Sequence, residues 1–119
     1  MILHAENSSI LALSGGIGGA KLTLGLNHSM PSEKLMIVGN IGDDFEHFGL
    51  KISPDLDTLM YALSGKADSE KGWGLADESW SFMQAIKTLG GDTWFQLGDK
   101  DLATHLERTR RLNEGESLT

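Results

Sequence analysis

Four glycines in the run Ser14-Gly-Gly-Ile-Gly-Gly19 precede two acidic clusters, Asp43 with Asp44 and Asp55 with Asp57. Glycines let a ligand approach the backbone closely, and a helix that starts beyond such a loop offers unpaired amides to an anion. Clustered carboxylates suit a hard cation such as magnesium, whose remaining ligands are waters and phosphate oxygens. The combination predicts handling of a phosphorylated molecule through a divalent cation, with one carboxylate from each cluster on the metal. Asn40 ends an apolar run, in the region where open α/β sheets bind ligands.

Each feature also has a plainer reading. The loop is not the dinucleotide fingerprint, because counting from Gly16 puts Lys21 where the last glycine is required. It is not a Walker A loop, since Lys21 follows Ala20 and precedes Leu22. A tight packing turn without a ligand is the alternative, and Lys21 either assists a phosphate or lies along the helix surface. Asp43 and Asp44 also suit a solvated turn, and Asp55 and Asp57 suit a helix N-terminus.

The elements that must position these residues begin with Ile10–Leu13, a buried strand ended by glycine. A helix carrying Ala20, Leu22, Leu24 and Leu26 follows and closes at Met30-Pro31, and residues 35–38 form a second strand. Strand, glycine turn, helix and strand make one βαβ unit with parallel strands. Residues 39–54 are expected as a loop anchored by Phe45 and Phe48. A helix from Pro54 to about Gly65 carries Leu56, Leu59, Met60 and Leu63 on one face, with Asp55 and Asp57 in its first turn. Residues 78–89 are a further helix, packing through Trp80, Met83 and Leu89 and stopped by Gly90. Residues 94–97 are a short apolar element. The last helix, residues 99–112, packs through Leu102, Ala103 and Leu106.

So few strands against four helices predict a partial Rossmann-like three-layer α/β fold with a parallel sheet, a fragment of a larger domain. Residues 1–8 are expected as a flexible leader and residues 9–119 as the amino-terminal part of that domain. The 119 residues carry a formal charge of -7, which argues against a nucleic-acid surface; Arg108, Arg110 and Arg111 form the one dense basic run. Without cysteine there are no disulfides or thiolate metal sites, which fits a cytoplasmic protein. Apolar stretches of only a few residues argue against a membrane span.

Other chemistry-bearing residues are less organised. His4, His28, His47 and His105 lack metal-ligand spacing, and His105 suits a helix surface as well as catalysis. Trp73 and Trp80 suit either a core or a stacking wall for a planar ring. Asp99 is expected to cap the last helix, leaving Lys100 free to meet an anion. No serine has both a base and an orienting acid.

Five segments, in order, carry a resemblance: Ser14-Gly-Gly-Ile-Gly-Gly-Ala-Lys21, Val38-Gly-Asn-Ile-Gly-Asp-Asp44, Ser53-Pro-Asp-Leu-Asp-Thr58, Gly72-Trp-Gly74 and Leu97-Gly-Asp-Lys-Asp-Leu-Ala-Thr-His105. From Ile10 onward the chain resembles the amino-terminal part of the 2-phospho-L-lactate transferase family of deazaflavin coenzyme F420 biosynthesis. The resemblance implies transfer of a phospholactyl, phosphoenolpyruvyl or phosphoglyceryl group. The donor would be a guanosine diphosphate adduct, the acceptor the ribityl hydroxyl of the deazaflavin precursor, 7,8-didemethyl-8-hydroxy-5-deazariboflavin, and the products would include GMP. It implies magnesium as cofactor, held by Asp43, Asp44 and Asp57, with Asp44 and Asp57 as the catalytic carboxylates. Substrate contacts are implied for Gly15, Gly16, Gly18, Gly19, Lys21, Asn40, Asp55 and Lys100. Lys100 stands where many relatives look to have arginine, which keeps the charge but loses the bidentate fork. A homodimer is left open. The competing readings are a related nucleotide-sugar-binding regulatory fold and a noncatalytic scaffold.

Overall fold

A computed structural model of the protein describes residues 8–119. All of the expected leader except Ser8 lies outside the described residues. The elements are β1 (Ile10–Ser14), α1 (Gly16–Ser29), a short 3-10 turn (Ser32–Lys34), β2 (Leu35–Gly39), β3 (Phe45–His47), β4 (Leu50–Ile52), α2 (Pro54–Leu63), α3 (Ser81–Thr88) and α4 (Asp99–Asn113). The chain forms two compact units. One takes in the chain up to Asp43 together with Ser53–Lys66, the other Asp44–Ile52 with Ala67–Thr119.

The first unit is the expected βαβ arrangement. β1 and β2 pair in parallel from Ile10 opposite Leu35 to Ser14 opposite Gly39, and the Asn40 amide extends the ladder to the Ser14 carbonyl at 2.8 Å. This parallel pair with its helices is a partial Rossmann-like α/β fold, as expected. α1 starts at Gly16, four residues before the first apolar residue of the expected helix. Its buried residues are Ala20 and Thr23, and Leu22 is exposed. The leucines stand at every second position, and residues two apart do not share a helical face. The small side chains bring α1 close: a Cβ built on Gly19 would fall 2.7 Å from Ser14 Oγ.

α2 begins with Pro54 in its first turn, where proline's missing N–H costs no hydrogen bond. It buries Leu59 and Tyr61, while Met60 is exposed. Gly65 takes φ 70°, and the Lys66 amide reaches back to the Tyr61 carbonyl at 2.9 Å, the left-handed turn that closes helices on glycine.

In the second unit, the expected loop of residues 39–54 contains an antiparallel hairpin, β3 and β4, pairing Phe45 with Ile52 and His47 with Leu50. The connection is Phe48-Gly49, both at positive φ (51° and 73°), as a two-residue hairpin turn requires. Phenylalanine is an uncommon residue there, which is why the sequence does not announce the turn. Ile52, Met83 and Leu97 form the core, with Phe45, Leu50, Trp80, Phe82, Phe95 and Leu102 packed around them. Residues 94–97 are not a strand, although Leu97 is fully buried.

α4 faces inward through His105 and Thr109, not through Ala103 and Leu106, which are exposed. Its polar side chains cover the edge of β4. Thr109 Oγ1 accepts from the Lys51 amide at 2.7 Å, and Arg108 donates to the Lys51 carbonyl at 3.2 Å. Hydrophobicity selects the wrong stripe because this face satisfies backbone groups instead of filling an oily gap.

Candidate active site

Within the first unit, the carboxyl ends of β1 and β2 bring together Gly15, Gly16, Asn40, Asp43 and Asp55. Gly15 is the N-cap of α1, and Gly16 adopts φ 62°, which favours glycine. Asp55, in the first turn of α2, turns its carboxylate toward both glycines: a Cβ on Gly15 would lie 3.4 Å from Asp55 Oδ2, and one on Gly16 would lie 3.9 Å from Oδ1.

Asn40 holds this group in place. Its Nδ2 donates to Asp55 Oδ2 at 2.7 Å and to Asp43 Oδ2 at 2.8 Å, and its Oδ1 accepts from the Gly42 amide at 2.9 Å. One amide thus bridges two carboxylates that would otherwise repel, and fixes the loop that follows β2. Asn40 was expected as a substrate contact; these hydrogen bonds tie it to protein groups. Hard oxygens on Asp43 and Asp55 sharing one donor are a donor set of the kind magnesium takes.

The other expected residues are arranged differently. Gly18 and Lys21 are exposed residues of α1, whereas Gly19 lies against Ser14 and serves helix-strand packing. Asp57 is buried in the first turn of α2.

Asp44 and Lys100 belong to the second unit. Contrary to the expectation of a free Lys100, its Nζ donates to the Asp77 carbonyl at 2.7 Å. Nor does Asp99 cap α4. Its carboxylate accepts from the Ser79 hydroxyl at 2.6 Å and from the Ser81 and Phe82 amides at 3.0 and 2.9 Å, at the start of α3. Glu78 supplies the cap for α4, accepting from the Lys100 and Asp101 amides at 2.8 and 3.1 Å. The two helix starts therefore exchange carboxylates. Hydrogen bonding from Ser79, Phe82 and Ser81 holds the Asp99 carboxyl below its usual range. Glu78 is missed by sequence reasoning because it acts some twenty residues from the amides it satisfies, and capping rules read only local spacing.

His105 is buried, not at the surface: Nε2 lies 3.1 Å from Asp101 Oδ2, and Nδ1 lies 3.2 Å from an Arg108 nitrogen. An imidazole carrying its proton on Nε2 satisfies both neighbours. His47 is buried beside Phe48, with ring centroids 4.1 Å apart, and its Nε2 has no hydrogen-bond partner among the described residues. Trp73 and Trp80 meet at 64° with centroids 6.3 Å apart, and Lys71 Nζ lies 5.0 Å from the Trp80 ring. An inclined pair with an ammonium over it is a cation-π cluster, not the flat stacking wall that was one of the two expectations. Arg110 and Arg111, from the basic run, pair with Glu107. No described helix is long and apolar enough to cross a membrane.

The chain is similar to several known proteins along most of its length. The chain is 50% identical over 112 residues to a phosphoenolpyruvate transferase of Kitasatospora aureofaciens, an alignment covering 92% of this chain and 35% of that protein. It is 46% identical over 111 residues to the phosphoenolpyruvate transferase of Streptomyces coelicolor, covering 92% and 35%. It is 43% identical over 124 residues to that of Mycobacterium tuberculosis strain H37Ra, covering 92% and 38%. The chain thus spans little more than a third of the length of these relatives. Residues 10–119 match the family described as 2-phospho-L-lactate transferase CofD. The chain belongs to the 2-phospho-L-lactate transferase CofD family.

Proposed function

We propose that the protein provides the glycine-loop and carboxylate portion of a transferase of F420 biosynthesis. The reaction moves a phosphoenolpyruvyl group from a guanosine diphosphate adduct to the primary hydroxyl of 7,8-didemethyl-8-hydroxy-5-deazariboflavin and releases GMP. The observation that carries this reading is the family match over residues 10–119, with Asn40, Asp43 and Asp55 converging on Gly15 and Gly16 inside it. Among the three-carbon donors, the shared name of the relatives favours phosphoenolpyruvyl over phospholactyl or phosphoglyceryl.

In this reading, the Gly15-Gly16 backbone and the first amides of α1 receive the diphosphate. Asp43 and Asp55, held by Asn40, would be the magnesium ligands, with Asp57 as a further carboxylate of the same unit. Bound there, magnesium neutralises charge on the diphosphate and makes its phosphorus more electrophilic. Asp57, in the same unit, would orient the attacking hydroxyl and draw off its proton. A bond forms between that oxygen and the phosphorus next to the three-carbon group, the bond from this phosphorus to the GMP oxygen breaks, and GMP leaves with the electron pair. Asp55 faces the glycines with a negative charge, so an anionic donor and the cation are expected to bind together.

The test is a transfer assay with acceptor, the three guanosine-linked donors and magnesium. It would use a full-length polypeptide in which these 119 residues replace the matched region of the Kitasatospora relative. Transfer with release of GMP is expected, fastest with the phosphoenolpyruvyl donor, and strongly reduced in Asp57→Asn. Full activity of that variant would remove Asp57 from the mechanism; absence of transfer from every donor would reject the proposed activity. The 119-residue chain alone is expected to show little or no turnover.

A further inference from the structure

In the segment that leads into α3, positive φ is carried by glycine at Gly72 and Gly74, but at the next such position it is carried by Asp77, at φ 53°. A left-handed residue other than glycine costs conformational energy and persists where its surroundings hold it. The group that holds Asp77 is Lys100, whose Nζ donates to the Asp77 carbonyl at 2.7 Å. The backbone amide of the same lysine donates to Glu78 Oε1 at 2.8 Å. Lys100 thus grips two consecutive residues, one by its side chain and one by its backbone, and all three belong to the second unit.

The place of Lys100 in α4 argues that this grip is its role. α4 starts at Asp99 after the N-cap Gly98, so Lys100 stands in the first turn, where a cation opposes the helix dipole. A lysine there is unfavourable for the helix unless its ammonium reaches a partner elsewhere. The partner it reaches is the carbonyl that precedes Glu78, and Glu78 caps the same helix through the Lys100 and Asp101 amides. Glu78 also accepts from the Ser79 amide at 3.0 Å, and the Asp99 amide donates to the Ser79 carbonyl at 2.9 Å. The direction of the chain at Asp77 therefore decides whether the Glu78 carboxylate arrives at the start of α4.

We propose that Lys100 is a positioning residue that acts through Asp77. Its ammonium locks Asp77 in the left-handed conformation, and that turn delivers the Glu78 carboxylate to the first amides of α4. A hydrogen bond from an ammonium to a carbonyl is about twice as strong as one between neutral groups, which suits a lock on a strained residue. In the transferase proposed above, the charge of Lys100 then serves the junction of α3 and α4 and not the phosphates of the donor.

Thermal midpoints of the 119-residue chain test the lock, and their sign decides. Lys100→Met removes a charge that the helix dipole disfavours, so a lysine without a structural task predicts an unchanged or higher midpoint, whereas the lock predicts a fall of about 2–5 °C. The fall is expected to shrink to less than about half in an Asp77→Gly background, where the left-handed conformation no longer needs holding. It is expected to persist in Asp77→Ala, which lacks the carboxylate but keeps the disfavoured conformation. A midpoint that does not fall, or a fall that keeps more than about half its size with Asp77→Gly, would overturn the proposal. So would a fall that shrinks as much with Asp77→Ala, which would assign Lys100 to the charge of Asp77. If Lys100→Met gives no folded protein, recovery of folding by Asp77→Gly supports the lock and continued failure rejects it. In the full-length chimera of the transfer assay, any rise in donor KM on Lys100→Met is expected to be reversed by Asp77→Gly. A rise of more than about twofold that persists would place Lys100 on the donor and overturn the proposal. Only this last arm rests on the transferase reading, so a chimera without transfer rejects that reading while the midpoints still decide the lock.

Discussion

Asn40 Nδ2 donates to Asp55 Oδ2 at 2.7 Å, tying the end of β2 to the first turn of α2. The same nitrogen holds Asp43, so truncating one side chain releases two carboxylates. Asn40→Ala in the full-length chimera is expected to lower transfer about 10–100-fold and to raise the magnesium concentration needed for half-maximal rate, the usual scale for losing support behind metal ligands. Asn40→Asp should be worse, because a third negative charge replaces the donor. Initial rates across a magnesium titration check this; an unchanged magnesium requirement in both variants would count against Asn40 as the organiser of the cation site.

Gly19 brings α1 against β1, and a Cβ there would fall 2.7 Å from Ser14 Oγ and 3.1 Å from Ser14 Cα. Overpacking of this kind costs about 1–3 kcal/mol, offset by about 1 kcal/mol from the higher helix propensity of alanine. Gly19→Ala is therefore expected to destabilise by about 0–2 kcal/mol in urea unfolding, once these two effects are combined. Gly18→Ala, with nothing within 4 Å of the added carbon, should be neutral or stabilising. The opposite order would show that α1 does not rest on Ser14 in solution.

Thr109 is the helix side chain that accepts the outward amide of Lys51, while donating to the His105 carbonyl at 2.7 Å. Thr109→Val keeps the shape but leaves the amide without its partner, at a cost of about 1–3 kcal/mol. Thr109→Ser keeps the hydroxyl and should lose less. Amide hydrogen exchange at Lys51 provides a local check: exchange should speed up in the valine variant and stay close to the parent in the serine variant.

Acid should weaken α4 and the start of α3 in a defined order. Glu107 is held down from 4.5 to about 2 by hydrogen bonds from Arg110 and Arg111. A carboxyl depressed in the folded state gives stability that is present above its unfolded value and is lost as pH falls through its folded value. For Glu107 that window runs from 4.5 down to about 2, and for Asp99 it begins below 3.8. Both groups face solvent, so the Glu107 contribution is small and should shrink further in salt. Urea midpoints measured from pH 6 to pH 2.5 should fall less steeply for Glu107→Gln than for the parent at low salt. Parallel curves would remove these ion pairs from the stability of α4.

The βαβ unit was legible because its signals are local: short apolar strands, a glycine turn, and Pro31 and Pro54 at helix boundaries. Asp43 and Asp55 were legible as a pair of clusters, but not as partners of one amide, because the side-chain geometry of Asn40 depends on the register of β1 and β2. The helix faces failed where polarity decides packing. Leu106 is exposed while His105 and Thr109 are inside, since those two satisfy Asp101, Arg108 and Lys51. The hairpin was hidden by Phe48 at a position where asparagine or glycine would have signalled the turn.

The hairpin segment Asp44–Ile52 leaves one unit at Asp43 and returns to it at Ser53, yet its Ile52 is part of the core of the other. It is therefore a loop held at both ends. Once Asp43 and Ser53 are fixed by folding around β2 and α2, most of the entropy of closing that loop has already been lost, and β3 and β4 meet Met83 and Leu97 from a short tether. No single cut in the backbone frees either unit with all of its own residues. A protease nick after Lys66 would leave the second unit's hairpin on the amino-terminal piece.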